Sequence, residues 1–152
     1  MPTADGPDRP VRIRPPIPAD APALAALAGE LGYPTSAEDL TGRLAALHPT
    51  DAAVIVAVDA DDDPIGWCHV EARRTLVEPL SALVLGLVIG EEHRSAGVGA
   101  ELLDSAERWA RARGCRRLVV ATRITRERAH RFYEREGYAV AKTSYFLTKN
   151  LD

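Results

Sequence analysis

The chain has 152 residues, 46% apolar and 27% charged, with a formal net charge of −3 at neutral pH. That length suits one core-forming domain, and the lack of a basic patch argues against nucleic acid as a main partner. No apolar run is long enough to cross a bilayer and residues 1–10 hold no signal-like stretch, so a cytoplasmic protein with no membrane partner is expected.

Residues 1–10 are polar and proline-rich and read as a flexible lead-in to a single domain over 11–152. Val11 to Arg14 alternates and is stopped by Pro15 and Pro16, a short strand. Asp20 is placed to cap a first helix running through Leu24, Leu27 and Leu31 to Gly32. Ser36 to Asp39 reads as a capping box for a second helix with Leu40, Leu44 and Leu47 on one face. Ala52 to Val58 is a strand, and Ile65 to Arg73 its hairpin partner. The aspartates between them lack the closing glutamate of a calcium loop, and a solvated turn is expected there. Cys68 and Cys115 have no metal-ligand or disulfide spacing and read as small buried thiols; no metal is expected.

The most informative stretch follows. Leu83 to Ile89 is an apolar strand interrupted by Gly86, a residue that marks a bulge or a close backbone approach. Then comes Arg94-Ser-Ala-Gly97-Val-Gly99, and after it Val98, Leu102, Leu103, Ala106 and Ala110 recur at helical spacing. Glycines where a strand feeds a helix leave first-turn N–H groups open to an anion, with Arg94 as a cationic donor. A tight turn relieving strain is the plain alternative. Gly114 ends that helix, Arg117 to Thr122 is a strand beyond it, and a crossover helix makes the two strands parallel. A fourth helix, capped at Thr125, carries Ala129, Phe132 and Tyr133 on one face and stops at Gly137. That face is either core packing or a functional tyrosine. Tyr138 to Ala141 and Ser144 to Leu147 look like a closing hairpin. The expected order is βααβββαβαββ, an α/β protein with a mixed sheet and helices on both faces.

Two motifs together, Arg94-x-x-Gly97-x-Gly99 and Ala129-x-x-Phe-Tyr-x-x-x-Gly-Tyr138, resemble the signatures of the GCN5-related N-acetyltransferase (GNAT) superfamily. The resemblance implies that acetyl-CoA is the co-substrate. Its pyrophosphate would be held by N–H groups of Arg94, Ser95, Ala96, Gly97, Val98, Gly99 and Ala100. Its pantetheine would pair with the backbone of Leu87, Val88 and Ile89 where the fourth strand splays from the fifth. It also implies that Tyr133 protonates the departing thiolate. Two departures stand out: Arg126 occupies a position often held by asparagine, and Leu83 one held in some relatives by a glutamate base.

A hairpin turn centred on Val77 puts Glu71 across from Leu83, on the face where that glutamate would project, and His69 across from Leu85. Glu71 is therefore the candidate base, with His69 and a water relay as alternatives. The glycine pattern is not a P-loop, because no Gly-Lys-Ser/Thr follows, and it lacks the third glycine and the ribose-binding acid of a dinucleotide fold. The function implied is N-acetyl transfer to a primary amine of a small molecule or peptide, a cationic acceptor on the argument of net charge. A non-catalytic acyl-CoA sensor of the same fold is the rival, and a homodimer is admitted.

Overall fold

The computed structural model describes residues 11–152. The lead-in expected over 1–10 lies outside the described residues. The chain divides into two compact units, one ending at Ala121 and the other running from Thr122 to Asp152.

The first unit runs β1 (Arg12–Arg14), α1 (Ala21–Leu31), α2 (Ala37–Ala46), β2 (Ala52–Val58), β3 (Pro64–Arg73), β4 (Ser81–Ile89), α3 (Val98–Ala112) and β5 (Leu118–Val120). The strands form one sheet in the order β1-β2-β3-β4-β5. Pairing is antiparallel as far as β4 and parallel between β4 and β5, as a helical crossover requires. The mixed α/β architecture expected from the element order is therefore present.

Strand alternation sends side chains to two cores. Leu24 of α1 packs with Val56 and Val58 of β2, all three essentially buried, and Leu40, Leu44, Val54 and Trp67 close around them. On the other face Leu102 and Leu103 of α3 are fully buried, and a Cβ on Gly66 would meet Leu102 at 3.3 Å. Cys68 is buried with them, which pushes its thiol pKa up to about 12 and leaves it inert.

The start of α2 follows its sequence signal, since Ser36 Oγ accepts the Asp39 amide at 3.0 Å. Asp20 does something else. Its carboxylate does not cap α1 but takes both Arg14 guanidinium nitrogens, at 2.7 and 2.9 Å, together with the Ile17 amide at 2.8 Å. The guanidinium beside it holds the Asp20 carboxyl below its usual pKa of 3.8, and the residue is 4% exposed. A carboxylate whose pKa is depressed by folding stabilises the fold fully above its unfolded pKa; that contribution is lost as pH falls through the lower folded value. Asp20→Asn is expected to cost about 2 kcal/mol at neutral pH, because it removes the charge from one of the two carboxylates on a largely buried guanidinium, whose Nε still donates to Asp62 at 3.0 Å. Melting curves between pH 7 and 2 check this. The parent should lose part of its advantage over the variant below about pH 4, and an advantage that does not change with pH would refute the assignment.

The second unit holds α4 (Glu127–Arg135), with Gly137 at φ +93° after its end. The helix begins beyond Arg126, and no side chain caps it, so Thr125 is not the cap. The two closing strands expected over 138–141 and 144–147 do not form; residues 138–152 carry no strand. Alternation states which side chains would share a face, but a strand exists only where its N–H and C=O groups meet a second backbone. Val140, Tyr145, Phe146 and Leu147 are 83–96% exposed.

Candidate functional site

The site begins where β4 leaves its neighbours. Only Ala82, Leu83 and Val84 pair with β5, so Leu85 to Ile89 have no strand on that side. The β3–β4 register also breaks here. Val70 pairs with Val84 and His69 with Gly86, which makes Leu85 an extra residue on β4. A bulge of this kind bends its strand and re-aims its side chains, and Leu85 is 46% exposed. Pairing of the fourth and fifth strands thus stops at Val84, next to the bulge in the β3–β4 ladder.

Gly86 serves the same place. A Cβ there would lie 2.8 Å from Trp67 Cζ3, so the indole packs directly on the glycine backbone. The indole N–H donates to the Leu24 carbonyl at 3.2 Å, which fixes the ring under α1.

Beyond Ile89 the chain makes a single turn of 3-10 helix (Glu91–His93) and enters the glycine segment. Arg94 Nε donates to the Ile89 carbonyl at 3.2 Å, tying the cationic side chain to the end of β4. Ser95 and Gly97 both adopt positive φ, +70° and +81°, and α3 starts at Val98. The first amide to find a helical acceptor is that of Glu101, bonded to the Gly97 carbonyl at 3.1 Å. The N–H groups of Val98, Gly99 and Ala100 precede it, at the positive end of the 15-residue α3. A Cβ on Gly97 would meet nothing within 4 Å, so the space over this turn is open. Val98 is 2% exposed, so it can offer a ligand only its backbone. Open amides, an open approach and an unpaired β4 edge fit an acyl-CoA with its phosphates on the turn and its amide-bearing arm on the strand.

On the α1/α2 face a cavity of about 350 Å³ opens beside the bulge. Its walls are leucines of α1 and α2 with Val54 and Trp67, and His69 and Leu85 also line it. Glu71 lies across from Leu83, as the turn geometry requires, but His69 faces Gly86 rather than Leu85 because of the bulge. Glu71 is not in the cavity wall. It is about one-third exposed and pairs loosely with Arg73 at 3.5 Å. His69, by contrast, has its Nε2 buried with no hydrogen-bond partner among the described residues. Burial pushes the His69 pKa below the ordinary 6.5, against the opposing charge of Glu71 two residues along the same face. The imidazole is therefore neutral at pH 7, with its Nε2 enclosed and unpartnered. Sequence reading ranked it second because burial and the bulge are invisible there.

In the second unit, Tyr133 packs edge-on against Phe132 (5.1 Å between centroids) and Tyr138 (5.9 Å). Phe132 and Tyr133, expected on one face of this helix, are thus in contact, and Tyr138 joins them. Elsewhere, Asp59, Asp61 and Asp63 offer oxygens within 4.8 Å of one another. Asp59 Oδ1 already accepts the Asp61 and Asp63 amides at 2.9 and 3.0 Å, so it closes the β2–β3 turn.

The comparisons with known proteins agree with this arrangement. The chain is 30% identical over 131 residues to an aminoglycoside N(6′)-acetyltransferase type 1 from Stenotrophomonas maltophilia, covering 83% of this chain and 84% of that one. It is 35% identical over 92 residues to N-alpha-acetyltransferase 80 from Mus musculus, covering 60% of this chain and 26% of that one. Among solved structures, an aminoglycoside 6′-N-acetyltransferase from Acinetobacter baumannii superposes with a TM-score of 0.81 at 16% identity, over 94% of this chain and all of that one. The model of the acetyltransferase (GNAT) family matches residues 23–138, from α1 through the glycine turn to the end of the second motif. A bulged and splayed β4, a glycine turn opening α3 and a match spanning both motifs lead to one conclusion: this chain belongs to the GNAT family of acetyltransferases.

Proposed function

We propose that this acetyltransferase moves the acetyl group of acetyl-CoA directly to a primary amine of a small molecule or peptide, with no metal. The observation that carries the reading is the unpaired stretch of β4, Leu85 to Ile89, which runs from a residue of the cavity wall toward the open glycine turn. The names of the relatives add that nitrogen is the acceptor atom in both.

In this reading the amides of Arg94 to Ala100 hold the pyrophosphate, and the backbone of Leu87, Val88 and Ile89 holds the pantetheine arm. The thioester then lies at the bulge. The amine nitrogen bonds to the carbonyl carbon as the carbon–sulfur bond breaks. His69 Nε2 takes the proton that the amine must lose, and Glu71, two residues away, steadies the imidazolium and passes the charge toward solvent. Tyr133 gives its phenolic proton to the sulfur, and solvent restores both groups. Glu71 thus supports the base instead of being it, since it stands outside the cavity and beside Arg73. A sensor that only binds acyl-CoA would have no use for a neutral, unpartnered imidazole lining an acceptor cavity.

Calorimetry with acetyl-CoA, followed by thiol release with amines, tests the reading. Gly97→Val forces a β-branched residue into a left-handed turn and fills the open approach, and is expected to weaken acetyl-CoA at least tenfold, about 1.4 kcal/mol. Unchanged affinity would remove the cofactor from this turn. Binding without turnover of any amine would favour the sensor.

A further inference from the structure

We infer that the acceptor is a weakly basic primary amine on an apolar body bearing one anionic group, the chemistry of a short peptide with an apolar first residue, and not a polycation. This rests on the acyl-transfer reading above and deepens it. The expectation of a cationic acceptor came from the net charge of −3, a property of the whole surface. The cavity has its own chemistry.

Among the described residues lining it there is no aspartate or glutamate. Its walls are mostly leucines with Ala28, Val54 and the Trp67 ring, Tyr33 and Thr35 add hydroxyls but no charge, and the one formal charge among these residues is the exposed Arg43 guanidinium on α2. An ammonium carried into such walls would give up its water with no carboxylate to replace it, and the Arg43 charge would repel it. A molecule with several ammonium groups meets that cost several times over. A single amine that enters neutral avoids it. A lysine-like amine, with a pKa near 10.4, is neutral about once in a thousand at pH 7.4. A peptide α-amino group, with a pKa of about 7.7–8.0, is neutral about a quarter of the time.

The receiving group agrees with this. His69 lines the cavity, and its Nε2 is buried without a hydrogen-bond partner among the described residues. A neutral imidazole is a weak base; it suits an amine that has already lost its ammonium proton and sheds the second as the new bond forms. The cavity volume of about 350 Å³ is at the small end for ligand sites, enough for a body of one or two residues. The exposed Arg43 then has a natural counterpart in a terminal carboxylate, which its planar fork can bind through two nitrogens.

The test compares leucyl-phenylalanine, its C-terminal amide, a polyamine and an aminoglycoside at pH 7.4, by thiol release and by calorimetry on CoA-loaded protein. The dipeptide is expected to exceed both polycations at least a hundredfold in kcat/KM, and to exceed its own amide about tenfold. Arg43→Ala should abolish the preference for acid over amide, and Arg43→Lys should keep part of it. A polyamine or aminoglycoside turned over as well as the dipeptide overturns the inference while leaving the acetyltransferase reading intact. An acid-over-amide preference that survives in Arg43→Ala overturns the assignment of the anionic group. Dipeptide binding without turnover of any amine supports the acceptor site and refutes the catalytic reading.

Discussion

His69→Gln lowers kcat by about 10²–10⁴-fold, the contribution of a positioned base in proton transfer, while acetyl-CoA affinity stays near that of the parent. Glutamine fills much of the same volume and keeps polar atoms in the cavity, but it cannot accept the amine proton. The pH dependence separates loss of a base from loss of packing. Desolvation depresses the His69 pKa, so the neutral, competent form persists below pH 6.5. The kcat of the parent at saturating acceptor should therefore fall toward acid with an apparent pKa under about 6.5, and that limb should be absent in the variant. Glu71→Gln removes the nearby charge that opposes this depression. It should shift the limb further toward acid, with a smaller loss of rate. A His69→Gln enzyme within about threefold of the parent, with its acid limb unchanged, would return the proton to a water chain.

The second large effect is expected at Tyr133. Tyr133→Phe keeps the ring contacts with Phe132 and Tyr138 and removes only the hydroxyl. If the phenol protonates the departing thiolate, kcat falls by roughly 10²–10⁴-fold when chemistry limits turnover, with little change in melting temperature. Acyl donors with a better leaving group should narrow the gap, because they need less help at sulfur. If the variant stays within about twofold of the parent, the tyrosine is a packing residue of the α4 cluster. Cofactor affinity should not move in either case, which sets this variant apart from Gly97→Val.

The two experiments probe opposite ends of one proton balance. In the proposed reaction an amine loses a proton and a thiolate gains one, and a separate group is proposed for each. His69 is on a strand of the main sheet, held between Val54 of β2 and Gly86 of β4. Tyr133 is on a helix in the second unit.

Most of the architecture was legible from local chemistry. Apolar runs of strand length gave β2, β3 and β4 to within two residues at each end. The helical spacing of Val98, Leu102, Leu103, Ala106 and Ala110 placed the buried face of α3, and all five residues are buried. The glycine turn and the family followed from residue types at fixed spacing. The pairing of Glu71 with Leu83 followed from counting through a hairpin.

What the sequence could not supply was anything decided between elements. The bulge at Leu85 shifts His69 from Leu85 to Gly86, and no local signal distinguishes a bulged strand from a straight one. Asp20 has the residue type and position of a helix cap, yet its carboxylate is better satisfied by Arg14, a competition visible only once β1 and α1 meet. Likewise the closing strands have the right alternation but no paired backbone. The cavity beside α1 and α2 is the largest such case. Leucines at helical spacing on α1 and α2 read as ordinary core, and only the tertiary structure shows them lining a space with His69 and, among the described residues, no carboxylate. Periodicity determines which faces are apolar; whether two apolar faces close on each other or leave room for a ligand depends on side-chain volumes and strand curvature summed across the fold.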